Sequence, residues 1–203
     1  MSESLSDERR HEIARLAVNR FALHGFDGTS MNDLAHHVGL SKAGIYHYFP
    51  TKEAILAEAL LGYSQRLLAT VRAAAGQPGD PVEQLQRVIE AVLVLYRDAD
   101  AYHQAQINDL ARLPLDDQEI IRDNERQVVR IMEAIVARLG EGLDEATIKA
   151  LTMSTFGILN WNARWFGEGP GRLDLAEYIR VVTCFVAGGV VRVQRERQLE
   201  VDS

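Results

Sequence analysis

Nearly every apolar-periodic run in this 203-residue chain opens on serine, threonine or aspartate and closes on glycine or proline. That is the punctuation of helices. Ser6 with Asp7 and Glu8 predicts a first helix in which Ile13, Ala17 and Phe21 share a face, ended at Gly25. Ser30 caps a short second helix to Val38, with Asp33 as capping-box partner and Gly39 as its left-handed stop. Ser41 caps a third, Lys42 to Phe49, closed by Pro50, and Thr51 restarts a long helix towards Ala75. After the break Gly76-Gln77-Pro78-Gly79, the cap Asp80 with Pro81 and Glu83 opens a helix to about Arg97, and another runs from about Ala99 to Leu113. Asp116–Leu139, Asp144 through Trp165, and a last helix opened by Asp174 and Glu177 and reaching about Arg197 complete the set. No Val/Ile/Thr-rich runs alternate between turns, so the expected fold is all-α with about nine helices.

Composition narrows the class. With 47% hydrophobic and 25% charged residues the chain is a folded globular protein, not a disordered or low-complexity one. One cysteine excludes a disulfide framework or a Cys-rich zinc module. No apolar run reaches the roughly 18 residues of a membrane span, and the N-terminus lacks signal-peptide regions, so a cytoplasmic location without membrane attachment is expected. The net charge of −7 argues against a general polycation, so any DNA contact must be local. Residues 1–55 hold six Lys/Arg against seven Asp/Glu, whereas 56–203 hold sixteen against twenty-two. Between Asp33 and Glu53 no acid occurs, while His36, His37, Lys42, His47 and Lys52 do.

That window is also where geometry becomes specific. Two short helices joined at Gly39-Leu40 behind a longer one match a helix-turn-helix unit. Ala35, Val38, Ile45 and Phe49 supply the small core that sets the angle between helices two and three. Ser41, Lys42, Ala43, Tyr46 and His47 then fall on the opposite side of helix three, where Ala43 and Gly44 permit close approach to base edges. Ser30, Ser41, Tyr46 and Lys52 suit phosphate contacts.

The run Phe21-x-x-x-Gly25-Phe26-x-x-Thr29-Ser30-Met31-x-x-Leu34-Ala35-x-x-x-Gly39-Leu40-Ser41-Lys42-Ala43-Gly44-Ile45-Tyr46-x-Tyr48-Phe49-x-x-Lys52-Glu53 resembles the DNA-binding signature of the TetR family of one-component transcriptional regulators. The match covers about residues 8–60 without a gap. The resemblance implies a DNA-binding domain at 1–55, an effector-binding and dimerisation domain at 56–203, and a repressor released from a palindromic double-stranded operator by a small molecule. The DNA-contact set becomes Thr29, Ser30, Ser41, Lys42, Ala43, Gly44, Tyr46, His47, Tyr48 and Lys52. The helix from Thr51 to Ala75, which starts beside the DNA, is the expected lever.

One such unit reads only a few base pairs, so two copies spaced roughly 34 Å apart are needed for affinity and specificity. Leu175, Ile179, Val182, Phe185, Val186, Val190 and Val193 make the last helix too apolar for a solvated exterior. Packing inside one subunit is the plain account. A homodimer through the last two helices, with Gly188-Gly189 allowing close approach, is the sharper one.

For the effector, Tyr96, His103, Asn108, Arg130, Phe156, Asn160, Trp161, Arg164 and Trp165 are the expected contacts, set against a plain core or solvated faces. Phe156-Gly157-x-x-Asn160-Trp161-x-x-x-Trp165-Phe166-x-x-Gly169 is similar to TetR-family sensors of acyl-coenzyme A thioesters, and His103-Gln104-x-Gln106-x-Asn108-Asp109-Leu110-x-x-Leu113-Pro114 looks most like regulators of phenylacetate or other aromatic-acid catabolism. This resemblance implies an acyl-coenzyme A such as phenylacetyl-coenzyme A as effector, with Arg126, Arg130 or Arg164 meeting the pyrophosphate. The alternatives are an efflux-type sensor of free lipophilic compounds and a helical interaction module that binds no DNA.

Catalysis, cofactors and metals are not expected. Cys184 lies in the apolar run Val181–Val186 and reads as a buried, inert thiol. Gly167-x-Gly169-x-Gly171 lacks the preceding strand and the Lys-Ser/Thr of a phosphate loop, and reads as a linker. Adjacent His36 and His37 point apart on a helix and cannot chelate together.

Overall fold

In a computed structural model the backbone is described for residues 2–97, 99–166 and 173–201, and side chains for 6–97, 99–162, 165–166 and 173–199. The described residues form nine α-helices and no strand: α1 Ser2–His24, α2 Met31–His37, α3 Lys42–Tyr48, α4 Lys52–Ala75, α5 Pro81–Tyr96, α6 Asp100–Asp109, α7 Leu115–Leu139, α8 Glu145–Trp165 and α9 Leu175–Val201. A 3-10 turn, Leu110–Arg112, ends the segment expected to be one helix up to Leu113. The all-α reading holds. Ser6, expected as a cap, lies inside α1, which begins at Ser2. The Gly167–Gly171 segment lies outside the described residues.

The caps elsewhere work as their chemistry requires. Ser30 and Asp33 form a reciprocal box on α2, as do Asp80 and Glu83 on α5, each satisfying two amides that a helix start leaves open. Ser41 Oγ accepts from Gly44 N at 3.0 Å, and Thr51 Oγ1 from Ala54 N at 3.1 Å. Gly39 closes α2 at φ 71°, with Leu40 N donating to Ala35 O at 2.8 Å.

The chain divides into two compact units, within Met1–Arg66 plus Asp98–Asn124 and within Leu67–Arg97 plus Glu125–Ser203. In the first, Ile13, Ala17, Val18 and Phe21 of α1, Leu34 and Ala35 of α2, Ile45 and Phe49 around α3, and Ile55, Leu56 and Leu60 of α4 are buried. α1 packs on α2 and α6, and α2 on α3. In the second, α5 buries Leu85, Val88, Ile89, Val92 and Leu93, and packs on α8 and α9. Also buried in this unit are Met132, Ile135 and Val136 of α7, Leu159 of α8, and Ile179, Val182, Val186 and Val190 of α9.

The left-handed backbone at Gly39 is the conformation a Cβ disfavours, by about 1–2 kcal/mol. Gly39→Ala is therefore expected to lower unfolding stability by about that amount, read from chemical denaturation. An unchanged midpoint would mean the turn relaxes without strain.

Candidate nucleic-acid interface

Helix α3 has seven residues, so its pose is set by what holds it. Ile45 and Phe49 are fully buried on its inner side. Two arginines of α1 hold the ends of the motif: Arg9 Nη2 donates to Val38 O at 3.2 Å, and Arg10 Nη1 to Tyr48 O at 2.5 Å. These are the carbonyls that a helix C-terminus leaves open. Arg10 also pairs with Glu58 at 3.0 Å and lies 4.3 Å from the centre of the Phe49 ring. Neither arginine was singled out from sequence. Their visible signal was only a pair of cations on the polar side of an amphipathic helix.

The outer side of the motif is open. Ser41, Lys42, Ala43, Tyr46 and His47 are exposed, Gly44 and Tyr48 are half-buried, and His36 and His37 of α2 are exposed as well. Ser41's hydroxyl accepts from the α3 N-terminus, so it shares the position of that helix's free amides. Ser30 is exposed, but its hydroxyl donates to Asp33 Oδ2 at 2.6 Å and accepts from Asp33 N at 3.2 Å. The hydroxyl's donation to Oδ2, joined by Ser30 N donating to the same oxygen at 3.0 Å, holds the Asp33 carboxyl below the ordinary carboxylate range.

Two expected DNA contacts are occupied differently. Thr29 is 1% exposed and its hydroxyl donates to Gly25 O at 2.9 Å, so it closes the loop before α2. Lys52 Nζ donates to Phe26 O at 2.8 Å and Thr29 O at 3.2 Å, and sits 4.4 Å from the Phe26 ring centre. Its charge is directed to that loop's carbonyls and ring rather than held out for phosphate.

Residues 13–59 match the family model of bacterial regulatory proteins, tetR family, and residues 78–190 match the tetracyclin repressor-like C-terminal domain. The chain belongs to the TetR family. It is 25% identical over 197 residues to the HTH-type transcriptional repressor KstR2 of Mycobacterium tuberculosis, covering 92% of this chain and 94% of that protein. PfmR, a TetR-family regulator from Thermus thermophilus, shares its fold with TM-score 0.74 at 28% identity, covering 86% of this chain and 96% of that one. AibR, solved with isovaleryl coenzyme A and operator DNA, shares it with TM-score 0.69 at 22% identity, covering 89% and 96%. This TetR-family chain is accordingly a DNA-binding transcriptional regulator.

In the second unit of this TetR-family chain, the expected effector contacts separate by helix face. Tyr96 and Phe156 are buried. Burial pushes the Tyr96 phenol well up, and Glu125 adds to it. Asn160, Trp161 and Trp165 are exposed on α8, the two tryptophans at 60% and 54%, so within this unit they line no interior cavity. The reason is periodicity: Thr152, Thr155, Phe156, Leu159 and Asn162 take the inward face of α8 and turn the others out. Arg126 and Arg130 are exposed, and the Arg164 side chain lies outside the described residues. Asn162, on that inward face, is buried, and its Nδ2 has no hydrogen-bond partner.

The last helix splits in the same way. Ile179, Val182, Val186 and Val190 pack inside their own unit, whereas Val181 and Phe185 are 52% and 70% exposed. Cys184, expected to be buried, is exposed beside them. A Cβ added at Gly188 would meet nothing within 4 Å. Met153 on α8 is 49% exposed, and a Cβ at Gly157 would likewise meet nothing.

In the first unit, Asn108 is exposed and lines an open cleft of about 320 Å³ with Phe21, Phe26, Asp27, Asp109 and Arg112. His103 is hydrogen-bonded to the Tyr63 hydroxyl at 3.0 Å through Nε2, and Tyr63 stacks on Tyr102. Burial lowers the His103 pKa, outweighing Asp100. With the folded pKa below the unfolded one, the unfolded chain takes up the proton first. Stability conferred by neutral His103 is thus complete above the ordinary imidazole value, about 6.5, and falls as pH drops below it. His103→Gln should flatten this acid-side slope in denaturation curves recorded across pH. An unaltered slope would show that the ring protonates freely in the fold.

Proposed function

We propose that this TetR-family regulator is a ligand-released repressor that binds a palindromic operator as a homodimer in the cytoplasm, with residues 1–55 meeting DNA and 56–203 serving effector binding and dimerisation. The observation that carries the DNA half is the division of α3, in which Ile45 and Phe49 are buried while Lys42, Ala43, Tyr46 and His47 are exposed beside the Ser41-capped helix start. Tyr46, His47 and Ala43 are the base-edge candidates. Ser41, Lys42 and Tyr48 are the backbone candidates, and Gly44 keeps the approach short. Repression agrees with the likeness to KstR2, itself a repressor.

For the dimer, Val181 and Phe185 of α9 and Met153, Trp161 and Trp165 of α8 are large apolar side chains left exposed, and Gly157 and Gly188 leave open space beside their backbones. A second copy seated there gives the four-helix contact expected of the last two helices, with Gly188-Gly189 at the close approach. Trp161, Trp165 and Asn160 then belong to that contact and reach effector only if the partner helps to form the pocket.

The effector class we propose is an acyl-coenzyme A thioester, phenylacetyl-coenzyme A being the specific candidate. AibR, of the same fold, was solved with isovaleryl coenzyme A and operator DNA, and the inward face of α8 here carries the buried Phe156 and Asn162, the latter with an unpartnered Nδ2. Ligand must favour the released state by about 1–3 kcal/mol to change operator affinity 5–150-fold.

A gel-shift titration with the DNA upstream of its own gene tests the reading. Wild-type protein should shift it and phenylacetyl-coenzyme A should reverse the shift. Lys42→Ala should make the slope of log affinity against log salt shallower by about 0.9, the contribution of one phosphate. Release by free lipophilic compounds but not by thioesters would replace the effector assignment, and an unchanged slope would remove Lys42 from the interface. Phe185→Glu is expected to convert the dimer to monomer in sedimentation runs and to abolish the shift at concentrations where wild type binds. A dimer that survives the substitution would place the interface elsewhere.

A further inference from the structure

The loop that enters α2 is held by two cations from outside the helix-turn-helix, and only one of them comes from its neighbour in sequence. Lys52, at the start of α4, takes the carbonyls of Phe26 and Thr29. The other is Arg112, in the 3-10 turn that follows α6. Its Nη1 and Nη2 donate to both carboxylate oxygens of Asp27 at 3.0 and 2.6 Å, and its guanidinium carbon lies 4.9 Å from the Phe26 ring centre. Nε of the same side chain donates to Asp109 Oδ1 at 2.8 Å, so the guanidinium plane is fixed from its own turn before it reaches the loop. Phe26 is in turn buried against Phe21 of α1, ring centres 4.9 Å apart.

We propose that Arg112 is a positioning residue for operator recognition: its clamp on Asp27 fixes the 26–29 loop, and through Ser30 the entry of α2, so that the reading helix is presented in one pose. Residue 112 is far from the motif in sequence and touches none of the candidate DNA contacts. Its side chain nevertheless bonds the segment whose next residue caps α2. The pose of α2 thereby depends on where the 3-10 turn sits. That turn follows α6, which is tied to α4 by the His103–Tyr63 hydrogen bond and the Tyr102–Tyr63 stack.

The energetics favour a local effect over a global one. Side chains of Arg112 and Asp27 are 39% and 75% exposed, and an exposed ion pair adds little to overall stability. What a bidentate pair adds is geometry. Removing it should loosen the loop while leaving the melting temperature nearly unchanged.

The inference rests on the DNA-binding reading of α3, and Asp27→Ala separates the two. Simple electrostatics expects the loss of an acid to tighten binding to a polyanion. A positioning role expects the opposite, an operator affinity about fivefold or more weaker by fluorescence anisotropy with the labelled upstream duplex. Arg112→Ala should weaken binding to a similar extent, and the double variant should be no weaker than either single, since both remove one clamp. Hydrogen exchange without DNA should be faster at amides 26–31 in all three variants and unchanged in α4. Tighter binding by Asp27→Ala, multiplying losses in the double variant, or wild-type exchange at 26–31 would each overturn the clamp. A wild-type protein that binds no duplex would overturn the DNA reading instead, and the exchange measurement would still decide whether the clamp orders the loop.

Discussion

A seven-residue helix has no stability of its own in water, because nucleation fixes several residues for each hydrogen bond gained. Everything α3 does depends on the burial of Ile45 and Phe49 and on the groups that receive its two ends. Ser41 Oγ accepts from the N-terminal amide of Gly44, and Arg10 takes the C-terminal carbonyl at Tyr48. Because the inner side and both ends are fixed, the outer side is free to carry residues chosen for DNA rather than for folding. That is why Tyr46 and His47, both weak helix formers, can stand exposed beside Lys42 and Ala43.

The loop ahead of α2 puts charge to a similar structural use. Lys52 is expected from sequence to meet phosphate, yet it and Arg112 are both bonded to protein oxygens in the loop that holds Phe26. A chain with net charge −7 cannot rely on long-range attraction to DNA. The few cations left pointing outward therefore matter individually. Fixing the loop with the others keeps those few in register.

Much of this was legible beforehand. Caps and stops gave nine helices close to their observed bounds, because Ser30, Asp80 and Asp144 act through local hydrogen bonds that sequence neighbours determine. The core set Ala35, Val38, Ile45 and Phe49 followed from periodicity and is buried. Harder were the positions where an apolar helix has two uses. Along α9 the sequence alternates Val, Ile, Phe and Gly without marking which side meets its own unit, so Cys184 was read as buried although it is exposed. Along α8, likewise, the aromatic spacing alone does not say that Trp161 and Trp165 stand exposed.

The amino-acid order alone determined the caps at Ser30, Ser41, Asp80 and Asp144, the turn at Gly39 and the membership of the small core, since each depends on groups within about four residues or on the 3.6-residue period. Only the tertiary structure decided where long side chains make their hydrogen bonds. Arg9, Arg10, Lys52 and Arg112 reach carbonyls and a carboxylate 23 to 85 positions away, on partners that no local rule identifies. The cause is physical: a guanidinium or ammonium on a flexible stem goes to whichever unsatisfied oxygen the packing brings within about 3 Å, and that is fixed only when the helices have docked.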